Sequence, residues 1–240
     1  MYVIPAIDLR DAKCVRLVQG DYNRQIVYRN DPVKQAEEFS KAGAEWLHII
    51  DLDGAKLGKP VNTDAISAIA GLGVFKIQVG GGLRDEESVR KVLDIGIERV
   101  IVGTKAVGDF EWFAQMTGKF RGKIALGLDA RGSTVATHGW TQQAPQGLLE
   151  FAVQAARLPI AAIIYTDIAR DGMMGGPNFE RTKALVDAVD VPIVAAGGIS
   201  RLEDIQKLAE LGLKAVVVGR GLYEGTLDLA EAIKAAARAG

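Results

Sequence analysis

The amino-acid sequence predicts an α/β protein, a (β/α)8 TIM barrel built from two duplicated half-barrels. Eight short apolar segments alternate with segments of helical pattern over 240 residues, which matches the element order and approximate length of this fold. A repeat at a constant offset relates the two halves of the chain. No Pro/Ser-rich linker separates the halves, so we expect one domain over residues 1–240, with half-barrels at about 1–120 and 121–240.

The repeat is clearest in two segments that each combine a strand, two or three glycines, a helical stretch and a second strand ending in glycine. Gly82 and Gly198 are 198 − 82 = 116 positions apart, and Gly103 and Gly219 are 219 − 103 = 116 positions apart. A constant offset across several elements indicates duplication. An open doubly wound sheet is the alternative fold, but the regular alternation and the repeat favour the barrel.

The apolar runs are continuous rather than alternating, as expected for strands of a parallel sheet that is buried on both faces. We predict the eight strands at residues 2–7, 46–50, 76–79, 99–102, 123–128, 161–165, 191–196 and 214–218. Asp31-Pro32 predicts the start of the first helix, with Asp31 as N-cap. Further helices are predicted to begin after Asn62 as a cap, near Asp85, after Asp109 and after Pro177, to join the last two strands, and to span Leu227–Ala237. Another predicted helix carries Leu148, Leu149, Ala152 and Ala155.

Two connections, residues 9–31 and 130–145, are longer than usual for this fold, which suggests functional lids over the barrel mouth. We predict a small strand at Lys13–Val18 within the first connection. Arg16 lies in this lid, and Trp140 lies in the second lid, in a polar stretch without apolar periodicity. We favour stacking of Trp140 on a planar ligand ring over simple packing of the loop.

The composition excludes several classes of protein. The chain is 48% hydrophobic and 25% charged with a net charge of −1, so no overall basic field attracts nucleic acid. No apolar run is long enough to span a bilayer, and the N-terminus lacks the pattern of a signal peptide. A single cysteine and two histidines leave little for a disulfide or a metal site. We therefore expect a cytoplasmic protein without a metal site that contacts neither membrane nor nucleic acid. We also expect a monomer, because the predicted outer helices show no large apolar stripe.

Glycines at the ends of four predicted strands indicate two phosphate-binding cups. In such turns the backbone N–H groups converge on an anion, and the following helix N-terminus adds partial positive charge. Tight turn geometry explains one such glycine pair equally well, but not matched pairs in both halves. Two cups imply a ligand with two phosphates. We define the first cup as Gly81, Gly82 and Gly103 and the second as Gly197, Gly198 and Gly219, with Thr104 and Arg220 as additional phosphate donors.

Asp8 and Asp129 each end the first strand of a half-barrel, so two-fold symmetry places them on opposite sides of the barrel mouth. One carboxylate on each side of a substrate is the arrangement of a paired general base and general acid. A cap on the next turn is the alternative role for either aspartate alone. Thr166 ends the sixth strand as a ligand contact, with Asp51 as its expected counterpart in the first half.

Three other reactive side chains are less informative. His138 in the second lid is expected to be a solvated loop residue rather than an acid or base. His48 is expected to be a hydrogen-bonded residue of the barrel or of its contact with a helix. Cys14 has no evident base beside it in the sequence, so we expect it to take no part in chemistry.

Seven short motifs are spread along essentially the whole chain: Ile4-Pro5-Ala6-Ile7-Asp8-Leu9, Val15-Arg16-Leu17-Val18-Gln19-Gly20, Gly80-Gly81-Gly82-Leu83-Arg84, Gly127-Leu128-Asp129, Gly139-Trp140, Thr166-Asp167-Ile168-Ala169-Arg170-Asp171-Gly172 and Ala196-Gly197-Gly198-Ile199. Together they resemble the phosphoribosylformimino-5-aminoimidazole carboxamide ribotide isomerases of histidine biosynthesis. The resemblance implies a bisphosphate ribotide substrate and an Amadori rearrangement of an aminoaldose to an aminoketose, without metal or organic cofactor.

The resemblance also implies roles for individual residues. Asp129 would be the general acid that opens the ribose ring, Asp8 the base that removes the C2 proton, and Thr166 a residue that positions the substrate. These roles require a raised pKa for Asp129 and an ordinary pKa for Asp8. The matching motifs further imply substrate-binding positions at Arg16, Arg84, Trp140, Asp171 and Gly172.

Three alternatives remain at this point. The related ammonia-dependent cyclase shares the duplication and the paired aspartates, but Arg16 and Trp140 match the isomerase. A dual-substrate isomerase that also accepts phosphoribosylanthranilate has an arginine at the position of His138. A non-catalytic bisphosphate-binding protein would need only the glycine cups, and the aspartates at the strand ends argue against it.

Overall fold

The computed structural model describes residues 1–18 and 20–238. The strands of this part of the chain are β1 (Tyr2–Arg10), β2 (Lys13–Val18), β3 (Asp21–Arg29), β4 (Trp46–Asp51), β5 (Lys76–Gly80), β6 (Arg99–Val102), β7 (Ile124–Arg131), β8 (Thr134–Thr137), β9 (Gln142–Gly147), β10 (Ile163–Asp167), β11 (Ile193–Ala196) and β12 (Ala215–Val218). The helices are α1 (Pro32–Lys41), α2 (Leu52–Leu57), α3 (Thr63–Ala70), α4 (Glu86–Leu93), α5 (Thr104–Gly108), α6 (Phe110–Lys119), α7 (Leu148–Ala156), α8 (Phe179–Ala188), α9 (Leu202–Glu210), α10 (Arg220–Tyr223) and α11 (Leu229–Arg238).

Eight parallel strands close into a barrel in the order β1, β4, β5, β6, β7, β10, β11 and β12, with β12 pairing back to β1. The predicted barrel is therefore confirmed, and the open sheet is excluded because the sheet has closed on itself. Since β7 lies four strands from β1 around the ring, the ends of these two strands face each other across the mouth. No helix in the described residues is long and apolar enough to cross a membrane.

An antiparallel hairpin follows the first strand of each half. We call β2–β3 the first lid hairpin and β8–β9 the second lid hairpin; β2 pairs with β1, and β8 pairs with β7. The predicted strand at Lys13–Val18 is confirmed. Strands β3, β8 and β9 were not predicted. For β3 the reason is that the strand has no regularly alternating buried face. Its stability comes from pairing with β2 and from the stacking of Tyr28 on Tyr223, with ring centroids 4.6 Å apart.

The apolar residues form two layers. Leu47, Phe113 and Phe151 are buried between the strands and the outer helices. Ile4, Ile101 and smaller side chains such as those of Ala125 and Ala162 fill the barrel interior. This division follows from the alternation of side chains along each strand, which directs neighbours to opposite faces of the sheet.

Helices α1, α4 and α6 begin where predicted, and of the two predicted caps Asp31 is present and Asn62 is not. The Asp31 side chain accepts hydrogen bonds from the amides of Val33 and Lys34 at the start of α1, and Asp85 and Asp109 cap α4 and α6. Asn62 precedes α3 but makes no side-chain cap. The prediction of this cap was wrong because Asn62 Oδ1, the acceptor that a cap requires, accepts from the Ala12 amide at 2.9 Å instead. The short helices α2, α5 and α10 were not predicted, since four to six residues carry no measurable periodicity.

Asp51 and Asn62 form a buried pair that Asp167 and Asn178 repeat 116 positions later, with Nδ2–Oδ distances of 2.7 Å and 2.6 Å. The counterpart of Asp51 is therefore Asp167, because 167 − 51 = 116. The expected match of Asp51 with Thr166 was wrong by one residue. In the barrel register Thr166 pairs with Asp129, and Ile50 occupies the same place beside Asp8.

We expect Asp51→Ala to lower the free energy of unfolding by about 3 kcal/mol, measured by denaturant titration. The carboxylate is 1% exposed and accepts bonds from the amides of Gly54 (2.8 Å), Val61 (2.7 Å) and Asn62 (3.0 Å). Alanine leaves these buried donors without acceptors. The matched control is Asp64→Ala at an exposed position of α3, which should change stability by less than about 0.5 kcal/mol. Equal losses of stability in Asp51→Ala and Asp64→Ala would contradict the structural role of the buried Asp51 carboxylate.

Candidate active site

A cavity of about 280 Å³ opens at the carboxyl ends of the barrel strands, under the two lid hairpins. Barrels of this kind gather their functional groups at this end. The cavity brings together side chains and glycines from all eight barrel strands or the loops that follow them. Among its lining residues are all of the predicted site residues: Asp8, Arg16, Gly81, Gly82, Arg84, Gly103, Thr104, Asp129, Trp140, Thr166, Asp171, Gly172, Gly197, Gly198, Gly219 and Arg220.

Asp8 lies on β1 and is covered by the first lid hairpin. Arg16 of that hairpin donates from Nη1 to Asp8 Oδ2 at 3.2 Å, and its Nη2 donates to Asp171 Oδ2. Burial raises the pKa of Asp8, the Arg16 charge lowers it, and the charge of Asp171 raises it. The expectation of an ordinary pKa was therefore wrong. The sequence did not reveal how far the hairpin removes this carboxyl from water.

Asp129 lies on β7, on the opposite side of the cavity. Trp140 donates from its indole Nε1 to Asp129 Oδ2 at 2.8 Å, and the hydroxyl of Thr166 is a second hydrogen-bonding partner. Burial raises the pKa of Asp129, both hydrogen bonds lower it, and the charge of Asp171 raises it. The raised pKa expected for this carboxyl is confirmed. Unlike Asp8, Asp129 is hydrogen-bonded by neutral donors rather than by a guanidinium.

Trp140 is held in the mouth by an unusual backbone at the tip of the second lid hairpin. His138, Gly139 and Trp140 all have positive φ, at 55°, 63° and 72°. Two of these residues are not glycine, and non-glycine residues rarely adopt this region. The His138 amide donates to Thr104 Oγ1 at 2.9 Å, which ties the tip to the start of α5. The indole edge therefore points at Asp129, and stacking of its ring on a ligand stays a prediction.

The face of the Trp140 ring lies against the first lid hairpin. A Cβ atom built on Gly20 would lie 2.7 Å from Trp140 Cε3, and Gly20 has φ +78°. Only glycine fits at this contact without a shift of the ring. The two hairpins therefore meet directly above the cavity, although they belong to different halves of the chain.

The glycine cups have matched geometry in the two halves. Gly82 has φ +77°, and a Cβ on it would lie 2.6 Å from the carbonyl oxygen of Gly54. Gly198 has φ +81°, and its Cβ would lie 2.5 Å from the carbonyl oxygen of Gly176. Gly103 and Gly219 share nearly the same backbone angles, φ −110°, ψ −94° and φ −109°, ψ −97°. Turn geometry alone thus requires glycine at 82 and 198, and anion binding remains an additional prediction.

A guanidinium accompanies each cup. Arg84 lies beside the first cup and donates from Nη2 to the carbonyl of Ala55 at 3.1 Å. Arg220 lies beside the second cup and donates from Nη1 to the carbonyl of Gly172 at 2.6 Å. These backbone contacts orient the side chains, and both arginines line the cavity. Each end of the cavity therefore combines glycine turns with a positive charge, as two phosphates require.

A family model described as histidine biosynthesis protein matches residues 2–228. The chain belongs to this family. It is 49% identical over 238 residues to a 1-(5-phosphoribosyl)-5-((5-phosphoribosylamino)methylideneamino)imidazole-4-carboxamide isomerase of Gloeothece citriformis, covering 98% of this chain and 93% of the relative. It is 47% identical to proteins of the same name from Herpetosiphon aurantiacus, covering 98% of both chains, and from Paracoccus denitrificans, covering 99% and 100%. The resemblance seen in the sequence motifs is confirmed.

Among the other residues that line the cavity, Tyr22, His48, Ile50 and Lys105 were not named as ligand contacts. The expectation for His48 is confirmed as far as it went, since its Nδ1 lies 2.7 Å from Gln78 Nε2 inside the barrel. The sequence held one signal that His48 lines the cavity. It lies two positions before Ile50 on the same strand, and side chains two positions apart point to the same face of a sheet. His138 is exposed, as expected. Burial raises the pKa of Cys14 to about 12, so this thiol is not activated.

Proposed function

We propose that this protein is the aldose–ketose isomerase of histidine biosynthesis for which its relatives are named, and that two aspartates carry out the Amadori rearrangement. The carrying observation is the pair of partly buried carboxyls on opposite strands of one cavity whose two cups are each accompanied by a guanidinium. One phosphate of the ribotide occupies each cup, so the reacting ribose is held between Asp8 and Asp129. The cytoplasmic location and the monomeric state expected from the sequence are part of this proposal.

The proposed reaction begins with ring opening. Asp129 gives its proton to the ring oxygen, the bond from C1 to that oxygen breaks, and the nitrogen lone pair forms a C1=N iminium ion. Asp8 then removes the proton from C2, and the electrons of that bond form a C1=C2 enaminol. Protonation at C1 and loss of the C2 hydroxyl proton give the ketose. The aldehyde-level carbon is reduced while C2 is oxidised, so atoms and electrons balance without a co-reactant.

Different partners support the opposite roles of the two aspartates. Arg16 lowers the pKa of Asp8, which favours the carboxylate that a base requires. Burial raises the pKa of Asp129, which favours the protonated form that an acid requires, and its hydrogen-bonding partners Trp140 and Thr166 are neutral. Asp171 accepts from Arg16 and raises the pKa of both aspartates. In this proposal Asp171 also positions Arg16 above the substrate.

The deciding experiment mixes the purified protein with the aminoaldose bisphosphate ribotide, without metal or ammonia, and follows absorbance and product mass and structure. We expect an isomer of unchanged mass with a ketone at C2. Turnover that appears only after ammonia is added would indicate the cyclase. Tight binding without conversion would indicate a non-catalytic bisphosphate-binding protein. A parallel assay with phosphoribosylanthranilate tests the dual-substrate alternative.

A further inference from the structure

A chain of hydrogen bonds runs through the barrel interior from its base to the floor of the cavity. Arg99 on β6 donates from Nε and Nη2 to Gln78 Oε1 on β5, at 2.9 Å and 2.6 Å. Gln78 Nε2 lies 2.7 Å from His48 Nδ1 on β4. Gln78 is fully buried, and His48 lines the cavity. The three residues occupy paired positions on adjacent strands, since His48 pairs with Gln78 and Gln78 with Arg99 in the register.

The chemistry of these groups determines where the imidazole proton lies. A guanidinium has donors and no acceptor, so the amide oxygen of Gln78 must face Arg99. The Gln78 NH2 group then faces His48, and Nδ1 must be the acceptor. A neutral imidazole with an unprotonated Nδ1 carries its proton on Nε2. Burial, with the charges of Arg99 and Arg16, lowers the pKa of His48 to about 3, which agrees with a neutral ring.

The fold does not require this polar chain. The positions 116 residues later in the second half hold Ile164, Val194 and Ala215, which are apolar and lie in the corresponding layer of the barrel interior. Buried polar groups cost free energy unless every partner is satisfied, and apolar residues fill the same space without that cost. Retention of three linked polar groups in one half therefore indicates a role at the site above them.

We propose that Arg99 and Gln78 are positioning residues that hold His48 as a neutral donor, whose Nε2–H binds the substrate between the two cups. This inference rests on the proposed function. The acceptor is the oxygen on C2, which is still a hydroxyl in the enaminol and becomes the ketone oxygen when it loses its proton in the last step. A preoriented N–H donor stabilises charge that develops on that oxygen. Proton removal is left to Asp8, because the lone pair of the imidazole, on Nδ1, is already engaged by Gln78.

Nitrogen-15 NMR of histidine-labelled protein tests the first half of this inference. The chain has two histidines, so His138→Gln assigns both ring spectra. We expect His48 in the wild type to be neutral, with its proton on Nε2, throughout pH 5–8, and its Nε2 signal to shift when the ketose product is added. Titration near the ordinary pKa of about 6.5, a proton on Nδ1, or no shift with saturating product would each overturn the inference.

The double variant Gln78→Val, Arg99→Ala tests the positioning role and copies the residues of the second half. Removing both polar partners together avoids leaving one buried alone. We expect a folded protein whose kcat falls about 10- to 100-fold while KM changes little, and whose His48 spectrum no longer shows one tautomer. Val194→Ala, at the position equivalent to Gln78, is the control and should retain wild-type turnover.

Two outcomes separate the inference from the proposed function. A folded double variant with wild-type kcat, in a protein that isomerises the ribotide, would overturn the inference and leave the function intact. A wild-type protein that does not isomerise the ribotide would overturn the proposed function, and the tautomer measurement would still report on the chain of hydrogen bonds. If the double variant does not fold, the wild-type spectra and their response to product decide the question alone.

Discussion

Asp129→Asn is expected to lower kcat by about 10³-fold, with a much smaller change in KM. The amide has nearly the same shape as the carboxyl and still accepts the hydrogen bond from Trp140 Nε1, now 2.8 Å from the carboxyl oxygen. Substrate binding through the two cups should therefore persist. What is lost is the proton that the ring oxygen needs when the sugar opens. Steady-state kinetics with the aminoaldose ribotide measures both parameters.

The same substitution should not weaken the fold at neutral or alkaline pH. Burial raises the pKa of Asp129 in the folded protein, so its contribution to stability is present at low pH and is lost as pH rises through that pKa. Asparagine carries no charge at any of these pH values. We expect the variant to be at least as stable as the wild type at pH 8, measured by denaturant unfolding. If Asp129→Asn lost activity only in proportion to a loss in the free energy of unfolding, the catalytic role of Asp129 would be contradicted.

The substitution Trp140→Phe tests whether Asp129 is the general acid. It removes the indole N–H that lowers the pKa of Asp129, so that pKa should rise further. A general acid works while protonated, and activity is lost as pH rises through its pKa. The alkaline limb of the kcat/KM profile should therefore move to higher pH in this variant. If the alkaline limb moved to lower pH instead, the group that produces it would not be Asp129.

Asp8→Asn is expected to lower kcat by about 10³-fold or more, because the C2 proton then has no base. Arg16 keeps its contact with Asp171, so the first lid hairpin remains attached to the far side of the cavity. Removing a carboxyl whose pKa burial raises also relieves a cost of folding at neutral pH. The expected defect is thus chemical, with the fold and ligand binding retained. Kinetics and product-binding calorimetry on one preparation check both.

Deuterium at C2 of the substrate distinguishes the two aspartates. In Asp8→Asn the removal of this hydrogen becomes slower, so a primary isotope effect on kcat should be large. In Asp129→Asn ring opening becomes slower instead, and the isotope effect should approach one. Asp64→Asn, at an exposed position of α3, is the control and should behave as the wild type. Reversed isotope effects would exchange the roles of Asp8 and Asp129.

The amino-acid pattern was sufficient to predict the barrel and the residues that line its mouth. Continuous apolar strands can be recognised locally, and an offset of 116 residues relates Gly82 to Gly198 without any knowledge of contacts. Because the carboxyl ends of all barrel strands meet at one end, a polar residue or glycine at a strand end is placed near the others as soon as the fold is known. For this reason every predicted site residue lines the same cavity.

The contacts among those residues could not be predicted without the folded structure. Arg16 and Asp171 meet although 155 positions separate them, and Gln78 lies between His48 and Arg99 on three strands. The burial that raises the pKa of Asp8 comes from a hairpin whose second strand has no sequence signature. Hydrogen-bond partners and burial depend on closure of the barrel and on where the lids pack. Local periodicity carries no information about either, since it reports which face of an element is buried and not what lies against it.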